Sequence, residues 1–186
     1  MVRALIPLQT DFEELEAIAI IDILRRANVS VTTVSLAADK LVTGSHHISI
    51  MADSTLDAWI SEQGPSSYDA IILPGGPGTP RLAECAPLLD VLRTMNARGC
   101  ILGAICAAPT VLSRAGILAT KKATSYPRAR EQVHCAQYQE DAVVVDGNCI
   151  TSRAAGTAVA FGLALVEALV NEQEATRVAD AILFHQ

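Results

Sequence analysis

The sequence predicts an α/β fold, a mostly parallel central sheet with helices on both faces, and three observations predict it. Strand-like and helix-like stretches alternate from end to end, which implies right-handed crossovers between parallel strands. The residues are 51% hydrophobic but only 4% aromatic, so the core must be built from Ala, Val, Leu and Ile, as in a buried parallel sheet. Short apolar runs stop at abrupt breakers, most sharply where DAIILP meets PGGPGTP. Residues 1–186 are long enough for one domain with a sizeable core, and no repeat, linker or low-complexity tract divides them.

The elements follow in order. VRALIPL is a short apolar strand, and FEELEAIAIIDILRRA is a helix with acids in its first turn and Arg25 and Arg26 in its last, matching the helix dipole. VSVTTVSLA is β-branched and strand-like. Lys40 to Asp53 reads as a hairpin around Gly44, and DAIILP as a buried strand. Leu82 to Arg98 reads as one helix, CILGAI as the next strand, and AAPTVLSRAGIL as a helix with Pro109 in its first turn and Gly116 past its end. VVVDGNCITS is a hairpin turning at Asp146-Gly147-Asn148. Thr157 to Val170 and Ala175 to Phe184 are two closing helices.

A formal net charge of −6 argues against nucleic acid as a partner, because phosphate binding needs a basic face. No apolar run reaches the roughly 18–20 residues that span a bilayer, so no membrane association is expected. The opening MVRALIPLQTDFEEL turns acidic too soon for a signal peptide. Five cysteines, an odd number with no Cys-x-x-Cys pair, fit reduced thiols in the cytoplasm better than a disulfide framework or a metal site.

In sheets of this kind sites form at the carboxyl ends of strands. Two such ends carry unusual residues. Cys106 closes CILGAI and is followed at once by AAPTV, whose small side chains permit a sharp strand-to-helix corner. A helix start there would aim unpaired N–H groups, that of Ala107 first, at the sulfur and lower its pKa below the usual ~8.5. The same N–H would stabilise an oxyanion after attack. A buried inert thiol satisfies the spacing equally well. At the other strand end, Gly75 and Gly76 let a backbone turn approach closely and offer further donors, although a plain β–α turn accounts for them too. The helix start DFEELEAI presents Asp11, Glu13, Glu14 and Glu16. Acids in a first turn ordinarily complement the dipole, but this helix continues into an unbroken apolar run. Glu16, one turn from Phe12 and Ile20, is therefore expected to have a raised pKa suited to moving a proton. Spacing alone does not separate it from its acidic neighbours.

The segments EELEA (13–17), LPGGPG (73–78), AICAAPTVL (104–112), TSYP (124–127) and TSRAAGTAVAFGLALVEAL (151–169) together resemble the ThiJ/PfpI superfamily. The likeness is to the branch of the Parkinson-disease protein and the bacterial chaperone and deglycase proteins similar to it. It covers essentially the whole chain in order. The resemblance implies a flavodoxin-like sandwich, a homodimer, and no metal or organic cofactor. It also implies Cys106 as nucleophile, Glu16 as its carboxyl partner, backbone donors at Gly75, Gly76 and Ala107, and oxidation of Cys106 to a sulfinic acid held by Glu16.

Two positions depart from that family. Tyr126 stands where the animal branch has a histidine, and a phenol of reference pKa ~10 is a poor base at neutral pH. Ala107 stands where the protease-like branch has a histidine, which counts against peptidase and glutamine amidotransferase chemistry. His46 or His47 could line the cleft or an interface, and Arg26 could support the same interface or act simply as a helix C-terminal cation. His134 and His185 read as surface or hydrogen-bonded residues. Cys100 and Cys149 read as core, Cys85 and Cys135 as exposed secondary oxidation sites, and Trp59 as packing. PGGPG lacks the Gly-Lys-Ser/Thr ending of a phosphate loop, so the older label linking such proteins with thiamine biosynthesis gains nothing.

The expected function is a cofactor-independent cysteine enzyme of stress defence. Its substrates are 2-oxoaldehydes, methylglyoxal to lactate, or the early protein adducts these make, with Cys106 as nucleophile and Glu16 as proton shuttle. The alternative is a redox-sensing stress protein or chaperone switched by oxidation of Cys106.

Overall fold

A computed structural model describes residues 1–184; His185 lies outside the described residues. The chain runs β1 (Arg3–Leu8), α1 (Glu14–Arg26), β2 (Ser30–Ser35), β3 (Leu41–Thr43), β4 (Ser49–Met51), β5 (Ser54–Thr55), α2 (Leu56–Glu62), β6 (Ala70–Leu73), α3 (Thr79–Glu84), α4 (Ala86–Ala97), β7 (Ile101–Ile105), α5 (Pro109–Arg114), β8 (Lys122–Ala123), β9 (Gln137–Tyr138), β10 (Val143–Asp146), β11 (Cys149–Ser152), α6 (Ala158–Leu169) and α7 (Glu172–Ala181). Three short 3-10 turns intervene at Pro65–Ser67, Pro127–Gln132 and Ala155–Thr157.

The main sheet has the order β10-β11-β7-β6-β1-β2-β5, parallel throughout except for the β10–β11 hairpin. The strands adjoining the site, β1, β6 and β7, are apolar and almost wholly buried, as expected where helices cover both faces. One face packs Trp59, Leu82, Leu88, Leu92, Val111 and Leu112 from α2 to α5. The other packs Ile20, Ile23, Leu24, Phe161, Leu165 and Val178 from α1, α6 and α7. The predicted α/β sandwich is the one observed. Strand order reverses at β1, with β2 on one side and β6 on the other, and a crevice opens at the carboxyl ends of such strands.

The predicted helix over 82–98 is two helices. Cys85 has an extended backbone (φ −79°, ψ 94°) and α4 restarts with Pro87 in its first turn. A proline ring excludes the helical carbonyl four residues before it, here Ala83, so one continuous helix is barred. The helix predicted over 107–118 shrinks to six residues in α5, and β5, α2, β8 and β9 had no periodic signal long enough to announce them. Trp59 packs as expected, fully buried and edge-to-face on Tyr68 at 5.3 Å. Cys100 and Cys149 are buried, whereas Cys85 and Cys135 are half-buried against the core and not exposed.

Candidate active site

Three adjacent strands deliver the site. β1 leads to α1 and Glu16, β6 to Gly75 and Gly76, and β7 to Cys106 and Ala107. Cys106 adopts φ +63°, a left-handed conformation that side chains rarely take, at the corner between β7 and α5. Its backbone is fixed on both sides. Its N–H donates to Ser152 O of β11 (3.0 Å), and its carbonyl accepts the N–H of Tyr126 (2.8 Å).

Glu16 is fully buried although it is a carboxyl. Glu13 caps the helix, its Oε2 accepting the Glu16 N–H at 2.7 Å. Glu16 Oε2 accepts the Gly75 N–H at 2.8 Å, and the buried carboxyl also faces the Cys106 thiol. Burial raises its pKa from the ordinary 4.5 to about 7, against hydrogen bonds from Gly75 and Cys106 that pull it down.

Of the three expected backbone donors, Ala107 and Gly76 turn their N–H groups to the sulfur. The N–H of Gly75 is already engaged by Glu16. The expected low thiol pKa is not found. Burial first, then the charge and hydrogen bond of Glu16, push the Cys106 thiol up to about 12, and the two N–H donors do not outweigh them. The pair therefore behaves as one proton shared between sulfur and carboxyl, and removing the charge from Glu16 removes the repulsion that disfavours thiolate.

The loops are interlocked. Glu13 N–H donates to Gly75 O (3.0 Å) and Gly78 N–H to Asp11 O (3.0 Å). Gly76 has φ +107°, and a Cβ there would stand 2.5 Å from Glu13 N and 2.6 Å from Asp11 O. Only glycine fits that approach.

Of the remaining candidates, Arg26 and His46 do not join the cysteine. Arg26 is at the far end of α1, ten residues or ~15 Å of helix from Glu16, and pairs with Asp22 at 2.6 Å. His46, at the β3–β4 turn, is exposed and pairs with the buried Glu14 through Nδ1 at 2.9 Å. Glu14 Oε1 also accepts the N–H groups of His46 (2.6 Å) and Ile48 (3.4 Å). Burial alone would raise Glu14, but these bonds hold its carboxyl down at about 2 and raise the His46 imidazole in return. Sequence reasoning missed this role for Glu14, and no spacing rule distinguishes it from Glu13. Among the described residues, Glu13, Glu14 and His46 are the group whose ligand atoms lie close enough, within 4.8 Å, to share a cation. Glu14 already spends both oxygens on the hairpin and Glu13 caps the helix. His47 neighbours His46 at φ +66°, and His134 and Tyr126 line a cavity described below.

No helix among the described residues is long and apolar enough to cross a membrane. Residues 2–168 match the model of the DJ-1/PfpI family. Protein DJ-1 homolog A of Arabidopsis thaliana is 40% identical over 97% of the chain, which spans about half (46%) of that relative's length. The glutathione-independent glyoxalase DJR-1.2 of Caenorhabditis elegans is 34% identical over 86% of this chain and 83% of its own. The solved structure of oxidized Toxoplasma gondii DJ-1 superposes with a TM-score of 0.94 at 36% identity, covering all of both chains.

Proposed function

Because this chain belongs to the DJ-1/PfpI family, we propose that it is a cofactor-independent cysteine enzyme of stress defence acting on 2-oxoaldehydes or on their early protein adducts. The observation that carries this reading is the pairing of a buried Glu16 carboxyl, raised to about 7, with a Cys106 thiol that also faces two N–H donors. A carboxyl that exchanges its proton near neutral pH beside a nucleophile suits repeated proton transfer. The glyoxalase name of the nematode relative supports the same chemistry.

With methylglyoxal the steps balance without outside electrons. Glu16 takes the thiol proton as sulfur adds to the aldehyde carbon and passes it to the new oxygen, giving a hemithioacetal whose oxygen accepts from the N–H groups of Ala107 and Gly76. The carboxylate so regenerated removes the proton on that carbon and returns it to the neighbouring carbonyl carbon, while the hydroxyl proton moves to the neighbouring oxygen. The second carbon is reduced to an alcohol as the first is oxidised to a thioester. Water releases lactate and restores the thiol. The test is methylglyoxal consumption with lactate formation on reduced protein, beside Cys106→Ser and Glu16→Gln. Turnover lost in the first and collapsed in the second supports the assignment; full activity in Cys106→Ser overturns it.

A second reading uses the same carboxyl. Two equivalents of peroxide convert the thiol to a sulfinic acid and release two waters. The stronger sulfinic acid gives its proton to Glu16, whose protonated carboxyl, raised to about 7, donates a hydrogen bond to the sulfinate. The oxidized form of the Toxoplasma relative favours it. Peroxide-dependent holdase activity that disappears in Cys106→Ser tests it. Under either reading a homodimer is proposed through the exposed apolar side chains of Leu15, Ile18, Ile48 and Met51. A reducing cytoplasm is the proposed location, supported by five unpaired cysteines.

A further inference from the structure

A cavity of about 750 Å³ opens beside the cysteine, a volume suited to a drug-sized ligand and far larger than a three-carbon aldehyde needs. Cys106 does not line it. It begins at Gly76 and Ala107, the two residues whose N–H groups face the sulfur, and continues past Pro77, Pro80 and Ala83 to Tyr126. A ligand bonded to the sulfur and seated in this cavity must extend beyond those two residues. A substituent the size of a six-membered ring occupies more of this volume than a methyl group does.

Tyr126 is the one exposed aromatic side chain among the described residues, at 38%. Its backbone is rigidly placed. The N–H is bonded to Cys106 O (2.8 Å), the carbonyl accepts the Ala129 N–H (2.8 Å), and the preceding Ser125 is held by the Tyr138 hydroxyl at 3.1 Å. An aromatic ring presented to solvent on so fixed a backbone, with proline and alanine surfaces in the same cavity, is a stacking platform. The charged lining residues Glu84, Arg114, Arg128 and Glu131 are all exposed and form a polar rim.

From these relations we infer that the preferred substrates are 2-oxoaldehydes bearing a large apolar group, aryl compounds of the phenylglyoxal type, and that Tyr126 is the specificity-determining residue. The inference rests on the enzymatic reading above. The chemistry is unchanged: thiol addition, proton transfer between the two carbons, and hydrolysis to the aryl hydroxy acid, mandelate from phenylglyoxal.

The experiment compares kcat/KM for phenylglyoxal and methylglyoxal on the reduced full chain, Tyr126→Phe and Tyr126→Ala. The native protein should favour phenylglyoxal by about tenfold or more. Tyr126→Ala should cut that ratio by a similar factor, chiefly through KM, and Tyr126→Phe should retain it. In parallel, mandelate should protect Cys106 from iodoacetamide better than lactate does, and lose that advantage in Tyr126→Ala. Lactate formation with no preference for the aryl substrate, or equal losses on both substrates in Tyr126→Ala, overturns the inference alone. Absence of both products overturns the enzymatic reading and the inference with it.

Discussion

Gly75 donates its backbone N–H to Glu16 Oε2 at 2.8 Å while standing directly against Cys106. A Cβ at this glycine would lie 2.7 Å from the Cys106 Cβ and 2.9 Å from that same carboxylate oxygen. The carboxyl–thiol pair thus keeps its spacing because the residue between them has no side chain.

Gly75→Ala should push the two groups apart at a cost of about 1–3 kcal/mol in stability. The variant should also lose most of its turnover while remaining folded. Thermal unfolding and lactate production measure the two effects, and a variant with native stability and activity would refute the spacing argument.

The raised carboxyl gives a signed pH dependence. Glu16 titrates near 4.5 unfolded and near 7 folded, so its stabilising contribution is complete below the first value and lost as pH rises through the second. Glu16→Gln escapes that loss. It should exceed the native protein in stability by up to about 3 kcal/mol above neutral pH and converge with it in acid. Urea titrations at about pH 4 and about pH 8 distinguish this from a pH-independent packing effect. Native turnover should rise with pH through about 7, as Glu16 becomes the base.

The left-handed backbone of Cys106 predicts an ordering of inactive variants. At φ +63° a glycine is unstrained and an alanine is not, so Cys106→Gly should be more stable than Cys106→Ala by about 1 kcal/mol. The reverse ordering in a melting comparison would mean that the corner relaxes once sulfur is gone.

Glu14 holds the β3–β4 turn by accepting from two backbone N–H groups and from His46. Glu14→Ala leaves those donors without their acceptor and should cost about 2 kcal/mol, with faster amide exchange at His46 and Ile48 and little change at β7. Uniform loss of protection over the whole sheet would contradict a local role.

The alternation of strands and helices was legible because each core strand is a short apolar run closed by a breaker, and Cys106 stood out at one such closure. Which acid faces it was not. Glu14 and Glu16 lie on the same helical turn, and only the packing of α1 under the β6 loop turns one toward the thiol and the other toward the β3–β4 hairpin. The thiol's acidity was misjudged because helix-start donors are local and visible, whereas desolvation and a carboxylate ninety positions earlier are not. Cys85 went unrecognised as a break because helical periodicity continues across it while the proline two residues later forbids the hydrogen bonding.

The sulfur's surroundings come from three separate crossovers, joined only when β1, β6 and β7 lie side by side. An unfinished or partly unfolded chain therefore carries an ordinary thiol, more readily ionised than the one in the completed fold. Maturation thus sheathes the residue from indiscriminate electrophiles.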